Sequence, residues 1–507
     1  MVSKIVMLVV AAALPGICRA LPPPSPGKVA AANAQQRQLV VISDLHLGVG
    51  KRTESAWYPY EDFRWPKALN GFLTEIGKAG NQQVDLVIAG DFLELWQPPD
   101  QISCDGLANA KCSTKTMAAM TQHMVNAHGV ELRALADFAE KGNNKLYIVP
   151  GNHDAALLVP EVWSILAKAL RADKGRVALV STGIYTTPDG SVVIEHGHQI
   201  GADVNAFSHW PQLIQHHGGK DYIDSPWGER FVQTLFNEKE KAYPIIDNLS
   251  PEAAGARLLM EDRGAWGSAS DMARFVKFNL FDTTLAQKGQ SLGRPGAAPP
   301  TCTKEQAKGL GYRFFTEALP AEDTIRKAVE ANDPQAKQVQ AELTVLAENL
   351  PDDELADICS KRTDNSTLGA TAQHLFVRPE NVMRKHLEKR SAEFPAMKVF
   401  IYAHTHQLEQ PWKVGLSMTD NITVLNTGAF QRLIDMAGYD VRVKKMSLAK
   451  RSDGLSKISL ESLAPCYSFV RVAAASDGTR RPATLIWKMD ETQKPGREIE
   501  AGDISCQ

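Results

Sequence analysis

Short apolar runs rich in β-branched residues, each halted by a cluster of Asp, His, Asn or Gly, constrain this chain more than any other feature. They are Leu39 to Ile42 before Ser43-Asp44-Leu45-His46, Val84 to Ile88 before Gly90-Asp91, and Leu146 to Val149 before Gly151-Asn152-His153-Asp154. The same pattern returns at Val192 to Ile194 before Glu195-His196-Gly197-His198, Val399 to Tyr402 before His404-Thr405-His406, and Ile422 to Leu425 before Asn426-Thr427-Gly428. Uninterrupted apolar runs of this length suit strands covered on both faces, where every side chain meets another layer. Helix-forming segments such as Trp65 to Lys78 and Glu131 to Lys141 lie between the first runs, so β-α-β units and a largely parallel core sheet are expected. Ligands gather beyond the carboxyl ends of such strands, where the polar clusters fall. Because alternate side chains on a strand share a face, Asp44 with His46, His196 with His198, and His404 with His406 are each expected to converge on one point.

The rest of the chain divides around this pattern. Lys4, the apolar run Ile5 to Leu14 and the ending Cys18-Arg19-Ala20 have the layout of a secretory signal, residues 1–20. The run is too short to span a bilayer, which takes roughly 20 residues, so an exported protein, periplasmic or secreted, without a transmembrane segment is expected. Residues 21–37, rich in Pro, Ala and Gln, read as a flexible lead-in. The core is placed at 38–200 and 396–507. Residues 201–395, charged and Ala/Leu-rich at helical spacing, read as a large helical insertion with an exposed Gly/Pro-rich loop from Lys288 to Thr301. Strand-like pieces after Phe430, Tyr467 to Ala474 and Ala483 to Lys488, are expected to complete a second sheet. Of the seven cysteines, Cys18 leaves with the signal. Neighbour pairing of the remainder gives Cys104 with Cys112, Cys302 with Cys359 and Cys466 with Cys506, as suits an oxidising compartment.

The strand-end residues Asp44, His46, Asp91, Asn152, His196, His404 and His406 form a set of carboxylates, imidazoles and one amide without thiolate. Such donors suit a pair of divalent first-row metals, Mn, Fe, Zn or Co. Water between two such ions loses a proton near neutral pH and becomes a nucleophile. The 56 Lys+Arg and 58 Asp+Glu give a formal net charge of -2, with no basic stripe, so no nucleic-acid partner is expected.

These blocks, in this order, resemble the calcineurin-like metallophosphoesterases: Asp44-Leu45-His46, Gly90-Asp91-Phe92-Leu93-Glu94, Gly151-Asn152-His153-Asp154, His196-Gly197-His198 and Ala403-His404-Thr405-His406. The resemblance covers about residues 38 to 200 and 396 to 432. It implies an α/β fold, a metallophosphoesterase-type β-sandwich flanked by helices in α/β/β/α layers. It also implies that Asp44, His46 and His406 hold one metal with bridging Asp91, while Asn152, His196 and His404 hold the other. His153 matches the family's catalytic histidine, and Asp154 is expected to orient its ring. His198 stands as an alternative ligand or substrate contact. Ala403 replaces the usual Gly before the H-x-H pair. Glu94 stands where purple acid phosphatases place a tyrosine ligand, so no tyrosinate-iron centre is expected.

The wording around Ser43 to Gly48 and Gly90 to Trp96 is most similar to the UDP-2,3-diacylglucosamine pyrophosphohydrolase branch, which carries a helical insert acting as a lid. That branch is cytosolic, so its substrate does not transfer to an exported chain. Arg52, Arg64 and Arg230 are candidate phosphate contacts, and Trp57, Tyr58, Trp65 and Trp227 candidate stacking partners for a phosphorylated small-molecule or lipid-linked substrate. The expected function is exported, dimetal-dependent hydrolysis of phosphate esters or anhydrides, a metal-bridging hydroxide attacking phosphorus in line, with phosphodiesters or diphosphates favoured. A phosphomonoesterase or nucleotidase is the alternative within the class, and a non-catalytic metal-stabilised binding protein the alternative outside it.

Overall fold

The computed structural model describes residues 37–258 and 380–506, apart from 55, 105–111, 202–204, 227, 230–231, 234–236, 252–253, 256–257, 417–420, 475–478, 491–495 and 501–505. The signal, nearly all of the lead-in, the Lys288 to Thr301 loop, the Cys302–Cys359 pair, Trp227 and Arg230 lie outside the described residues.

The apolar runs become strands. Strands β1 (Gln38–Ile42), β2 (Val84–Ala89), β3 (Lys145–Val149) and β4 (Val177–Leu179) pair in parallel. Helix α1 (Pro66–Ala79) joins β1 to β2, and α2 (Thr114–Ala127) and α3 (Gly129–Glu140) join β2 to β3. Pro66 starts α1 where no amide partner is needed. Ser113 caps α2, its side chain accepting from the Thr116 amide. After α4 (Pro160–Ala169) come β5 (Ile184–Thr186), β6 (Val192–Glu195) and the hairpin of β7 (Ile214–His217) and β8 (Lys220–Ile223). The chain then resumes with α5 (Glu380–Glu393), β9 (Val399–Tyr402), β10 (Trp412–Gly415), β11 (Asn421–Asn426) and α6 (Met436–Lys445). It ends with β12 (Cys466–Ala474), β13 (Arg480–Lys488) and β14 (Arg497–Glu500).

Two sheets result, a seven-stranded one ordered β14-β13-β12-β1-β2-β3-β4 and a five-stranded one ordered β10-β11-β9-β6-β5. Strand alternation sorts the apolar side chains into layers. Leu39, Val41, Val87 and Val149 meet Val192, Ile194, Val399 and Ile401 between the sheets. Their neighbours Val40, Ile42, Leu86 and Ile148 point the other way, onto Leu69, Phe72, Leu132 and Leu135 of α1 and α3. Val193, Phe400 and Val424, on the outer face of the second sheet, are covered by Met383 and Leu387 of α5. The expected α/β/β/α layering is therefore built. Each such side chain contributes roughly 1.5–3 kcal/mol when buried, which fixes strand register, since a slip of one residue would turn every apolar side chain to the wrong layer.

Two expectations need correction. β12 and β13 do not complete the second sheet: β12 pairs antiparallel with β1, Leu39 opposite Val472 and Val41 opposite Val470, and so extends the first. Val470 and Val472 share the inter-sheet layer with Leu39 and Val41 of β1. The core also reaches past residues 200 and 396. The segment read as a helical insertion opens with the β7–β8 hairpin rather than a helix, and its Leu213, Ile223, Ile245, Ile246, Leu249 and Leu258 are buried in the main cluster. At the far end α5 is docked by ionic contacts as well as apolar ones. Arg390 places Nε and Nη2 3.0 and 2.6 Å from Glu195 Oε2, and His386 pairs with the same carboxylate.

The disulfides Cys104–Cys112 and Cys466–Cys506 are formed. The second anchors the chain end to the first residue of β12. No helix among the described residues is long and apolar enough to cross a membrane.

Candidate functional site

Strands β1, β2 and β3 of one sheet and β6 and β9 of the other end on the same side of the sandwich, and their loops meet there. Backbone bonds lace these loops together: Asp44 N–H donates to Gly90 O at 3.0 Å, His46 N–H to Asp91 O at 3.0 Å, and Ala403 N–H to His196 O at 2.8 Å. Asp44, His46, Asp91, His404 and His406 all adopt left-handed backbone angles, with φ of 52°, 48°, 49°, 75° and 53°. That conformation costs an L-residue roughly 1–2 kcal/mol and concentrates at functional sites. Glycine gives the loops room to approach. A side chain at Gly90 (φ 92°) would meet the His196 ring at 2.2 Å, and one at Gly151 would meet Asp91 Oδ1 at 2.1 Å.

These angles replace strand alternation as the reason the side chains converge. Asp44 and His46 do share a cluster, with His406. His404 and His406, however, part company: His404 joins Asp91 and His196, and His406 joins Asp44. His196 and His198 also separate, with ring centroids 5.5 Å apart. Only His196 enters a metal-ligating cluster, while His198 is buried edge-on against Trp210 at 4.4 Å.

The donor atoms are arranged as a cation requires. His196 Nδ1 donates to Ala89 O at 2.8 Å, which turns Nε2 toward Asp91 Oδ2 at 3.0 Å and Asn152 Oδ1 at 2.9 Å. His46 Nδ1 donates to Glu94 Oε2 at 2.8 Å, and its Nε2 lies 3.8 Å from the same Asp91 Oδ2. One carboxylate oxygen thus faces a histidine of each cluster. Asp44 Oδ1 and His46 Nε2 are buried without a hydrogen-bond partner among the described residues. Such atoms are costly to leave unsatisfied, and a cation between them removes that cost. The His/Asp clusters fit two divalent metals.

Without cations, protons supply part of the missing charge. Burial alone would lower the pKa of His46, but the Glu94 hydrogen bond together with the charges of Glu94 and Asp91 outweighs it and raises it to about 10. For His196, burial is likewise outweighed by Asp91, giving about 9. Asp91 is held well below the usual carboxylate range: the histidines around it, His196 foremost, overcome its burial.

The carboxylate behind His153 is not the expected one. Glu94 Oε2 lies 2.5 Å from His153 Nδ1, and the Trp96 indole stacks on that ring at 3.9 Å with a 25° tilt. Burial would raise the Glu94 pKa, yet His153 beside it brings it down to about 2. Asp154 turns away to the backbone, accepting from the amides of Gly151 at 2.6 Å, Phe92 at 2.8 Å and Leu93 at 3.3 Å. It is a brace between the second and third blocks, and the orienting role expected of it passes to Glu94. The sequence signal for Glu94 was its place three residues after Asp91; for Trp96 there was only the similarity of the surrounding stretch.

The substrate candidates are less central. Arg64 is committed to the carbonyls of Tyr58, Pro59 and Glu61 and to Glu461 Oε1 at 2.6 Å, so it pins a loop. Arg52 is exposed on the short strand Lys51–Thr53. Trp65 is a core residue stacked under Arg432 at 4.3 Å. Trp57 and Tyr58 are half-buried, Trp57 lying under Lys51 Nζ at 5.2 Å.

No curated protein matches the chain at a significant level. Residues 38–248 match the family model described as calcineurin-like phosphoesterase. The match stops short of His404 and His406, which the fold nevertheless delivers to the same two clusters. These residues therefore carry a calcineurin-like phosphoesterase domain, which supports the metallophosphoesterase superfamily and indicates a hydrolase that acts on phosphoester bonds.

Proposed function

We propose that the chain is an exported dimetal hydrolase of phosphodiesters or phosphoanhydrides. In this reading Asp44, His46 and His406 hold one divalent ion and Asn152, His196 and His404 the other, with Asp91 between them. The observation that carries it is Asp91 Oδ2 facing His46 Nε2 at 3.8 Å and His196 Nε2 at 3.0 Å. The mixed nitrogen and oxygen donors suit Mn, Fe, Zn or Co. Such ions supply Lewis acidity toward the phosphoryl oxygens and make water nucleophilic near neutral pH. The chain's own part is positional: the left-handed loops set the donors, and the buried clusters limit water. Glu94 keeps a proton on His153 Nδ1, which leaves Nε2 to hold or give a proton at the leaving oxygen.

Preference for a diester or anhydride rests on charge. Of the candidate cations among the described residues, Arg64 is occupied by carbonyls and Glu461, and Arg52 stands on an exposed strand, so neither is set aside for a terminal phosphate dianion. Export is supported by the signal-like first 20 residues and by the disulfides Cys104–Cys112 and Cys466–Cys506. The test is kcat/KM for bis(4-nitrophenyl) phosphate against 4-nitrophenyl phosphate with manganese added. A diester preference of about tenfold or more is expected. Equal or better turnover of the monoester would favour a phosphomonoesterase or nucleotidase. No turnover of either, or of a broad phosphoester panel, by protein carrying two metals would favour a binding protein.

A further inference from the structure

Helix α6 carries a surface that the proposed reaction does not use. Its buried side chains are Tyr439 and Val443, so at 3.6 residues per turn Val441 lies on the opposite, outward side. Lys444 and Lys445, three and four positions further on, share that outward face and flank the valine. Val441 is 65% exposed, and Met446, which ends the helix, is 45% exposed. Among the described residues only four large apolar side chains stand this open, and two of them are these.

Charge says what covers this face. The acidic groups on α6 and the turn after it are engaged: Asp435 Oδ1 accepts from the Gly438 amide at 2.7 Å, Asp440 pairs with Arg451 at 2.9 Å, and Asp453 accepts from the Lys450 amide at 3.1 Å. Lys444 and Lys445 are exposed and have no ion-pair partner among the described residues. Apolar residues scattered singly on a surface need no explanation, and the helix dipole favours cations in the last turn of α6. Neither accounts for the two together, an apolar ridge between lysines left over from the local ion pairs. The formal net charge of the chain is -2, so the molecule as a whole is not drawn to an anionic surface and the attraction has to be local. A Debye length of about 8 Å at physiological salt confines it to such a patch.

We infer that the outward face of α6 and its C-terminal end dock the protein on a bilayer surface rich in anionic phospholipid. Lys444 and Lys445 meet the headgroup phosphates, while Val441 and Met446 enter the boundary beneath them. Two apolar side chains and a few cations make a reversible contact, no stronger than the roughly 10⁴ M⁻¹ of a single myristoyl chain. The start of α6 is joined to the candidate metal centre by a short bonded path. Ile434 and Asp435 pair with Leu249 and Ser250, and Ser250 Oγ donates to His406 O at 3.1 Å. A membrane held by α6 is thereby coupled to the loop that carries His406.

The experiment is co-sedimentation of the full-length chain with vesicles of phosphatidylcholine alone and of an equimolar mixture with phosphatidylglycerol. It is run at low salt and at about 1 M salt, where the Debye length falls to about 3 Å. Binding to the mixed vesicles should exceed binding to the neutral ones, and the excess should vanish at high salt. A lysine near an anionic surface contributes about a fivefold factor, so Lys444→Gln with Lys445→Gln should weaken binding to the mixed vesicles at least tenfold. Val441→Ser should weaken it severalfold. All three positions are exposed, so the unfolding midpoint should not move, and the first 20 residues are common to every variant, so the difference belongs to α6. No excess binding to the mixed vesicles at low salt, or equal binding by the double lysine variant, would overturn the docking surface. A dimer in solution that Val441→Ser splits would overturn it too, and would assign the face to a second copy of the chain. Vesicle binding needs no metal and no turnover, so the outcome is independent of the proposed reaction.

Discussion

Glu94 Oε2 lies 2.5 Å from Nδ1 of His153 and 2.8 Å from Nδ1 of His46, so one carboxylate oxygen fixes both rings. Glu94→Gln removes the charge that holds His153 in one tautomer. We expect kcat to fall about a hundredfold to a thousandfold, within the range that general acid–base groups supply, while the unfolding midpoint stays within a few degrees. His153→Gln should cost a similar factor, and the double variant little more than either, because the two act as a unit. Additive losses in the double variant would separate their roles.

Asp154 gives the opposite expectation. Its oxygens accept from the amides of Gly151, Phe92 and Leu93. Asp154→Asn turns one acceptor into a donor facing those amides, and a buried hydrogen bond lost in this way costs about 1–3 kcal/mol. Urea denaturation should register that loss, while kcat of the folded fraction stays within about threefold. A fall in kcat matching that of Glu94→Gln would return Asp154 to a direct role.

Metal loading should release protons. His46 titrates at about 10 and His196 at about 9 in the metal-free protein, so both rings carry a proton at pH 7. A cation that takes their Nε2 atoms must displace it, and apparent metal affinity should therefore climb as pH rises from 6 toward 9. Titration in buffers of different ionisation enthalpy measures the protons directly. Affinity that does not change between pH 6 and pH 8 would contradict this.

A further buried histidine, which belongs to none of the candidate metal-ligating clusters, sets a stability trend. His128, between α2 and α3, faces Glu61 Oε1 at 3.4 Å and Glu131 Oε1 at 3.5 Å. Burial would lower its pKa, but Glu61 and Glu131 raise it to about 10 from an ordinary value of 6.5. A raised folded-state pKa stabilises fully below the unfolded value and is lost as pH climbs through the folded one. The protein should accordingly lose stability between about pH 6.5 and pH 10, and His128→Gln should flatten that stretch of the curve. Parallel urea-midpoint profiles for the two proteins would refute the assignment.

The strands and the five blocks could be read from sequence because a buried strand leaves an uninterrupted apolar run, and each block begins where such a run stops. Helices α1 and α3 followed from apolar spacing to within two residues of Trp65 to Lys78 and Glu131 to Lys141. Three things were hidden. The pairing of β12 with β1 is a non-local choice that β12's own residues do not encode. The partition of His404 and His406 was not among them: the family resemblance divided the pair between two metals, whereas strand alternation, blind to the left-handed backbone angles, put them on one point. Glu94 rather than Asp154 stands behind His153 because the neighbour in sequence points to the backbone, while the residue 59 positions away lies at the ring. Phe207, Leu213, Ile223, Ile245, Ile246, Leu249 and Leu258 hid their burial because they follow no repeat.

Under the proposed function Asp91 would stand between the two cations of a phosphoester-hydrolysing site. Turnover of bis(4-nitrophenyl) phosphate by Asp91→Asn at saturating manganese, beside the wild type, tests it most directly. A fall of about a thousandfold or more with an unchanged circular dichroism spectrum is predicted, since the shared oxygen that faces His46 and His196 loses its charge. Wild-type turnover in that variant would contradict the assignment.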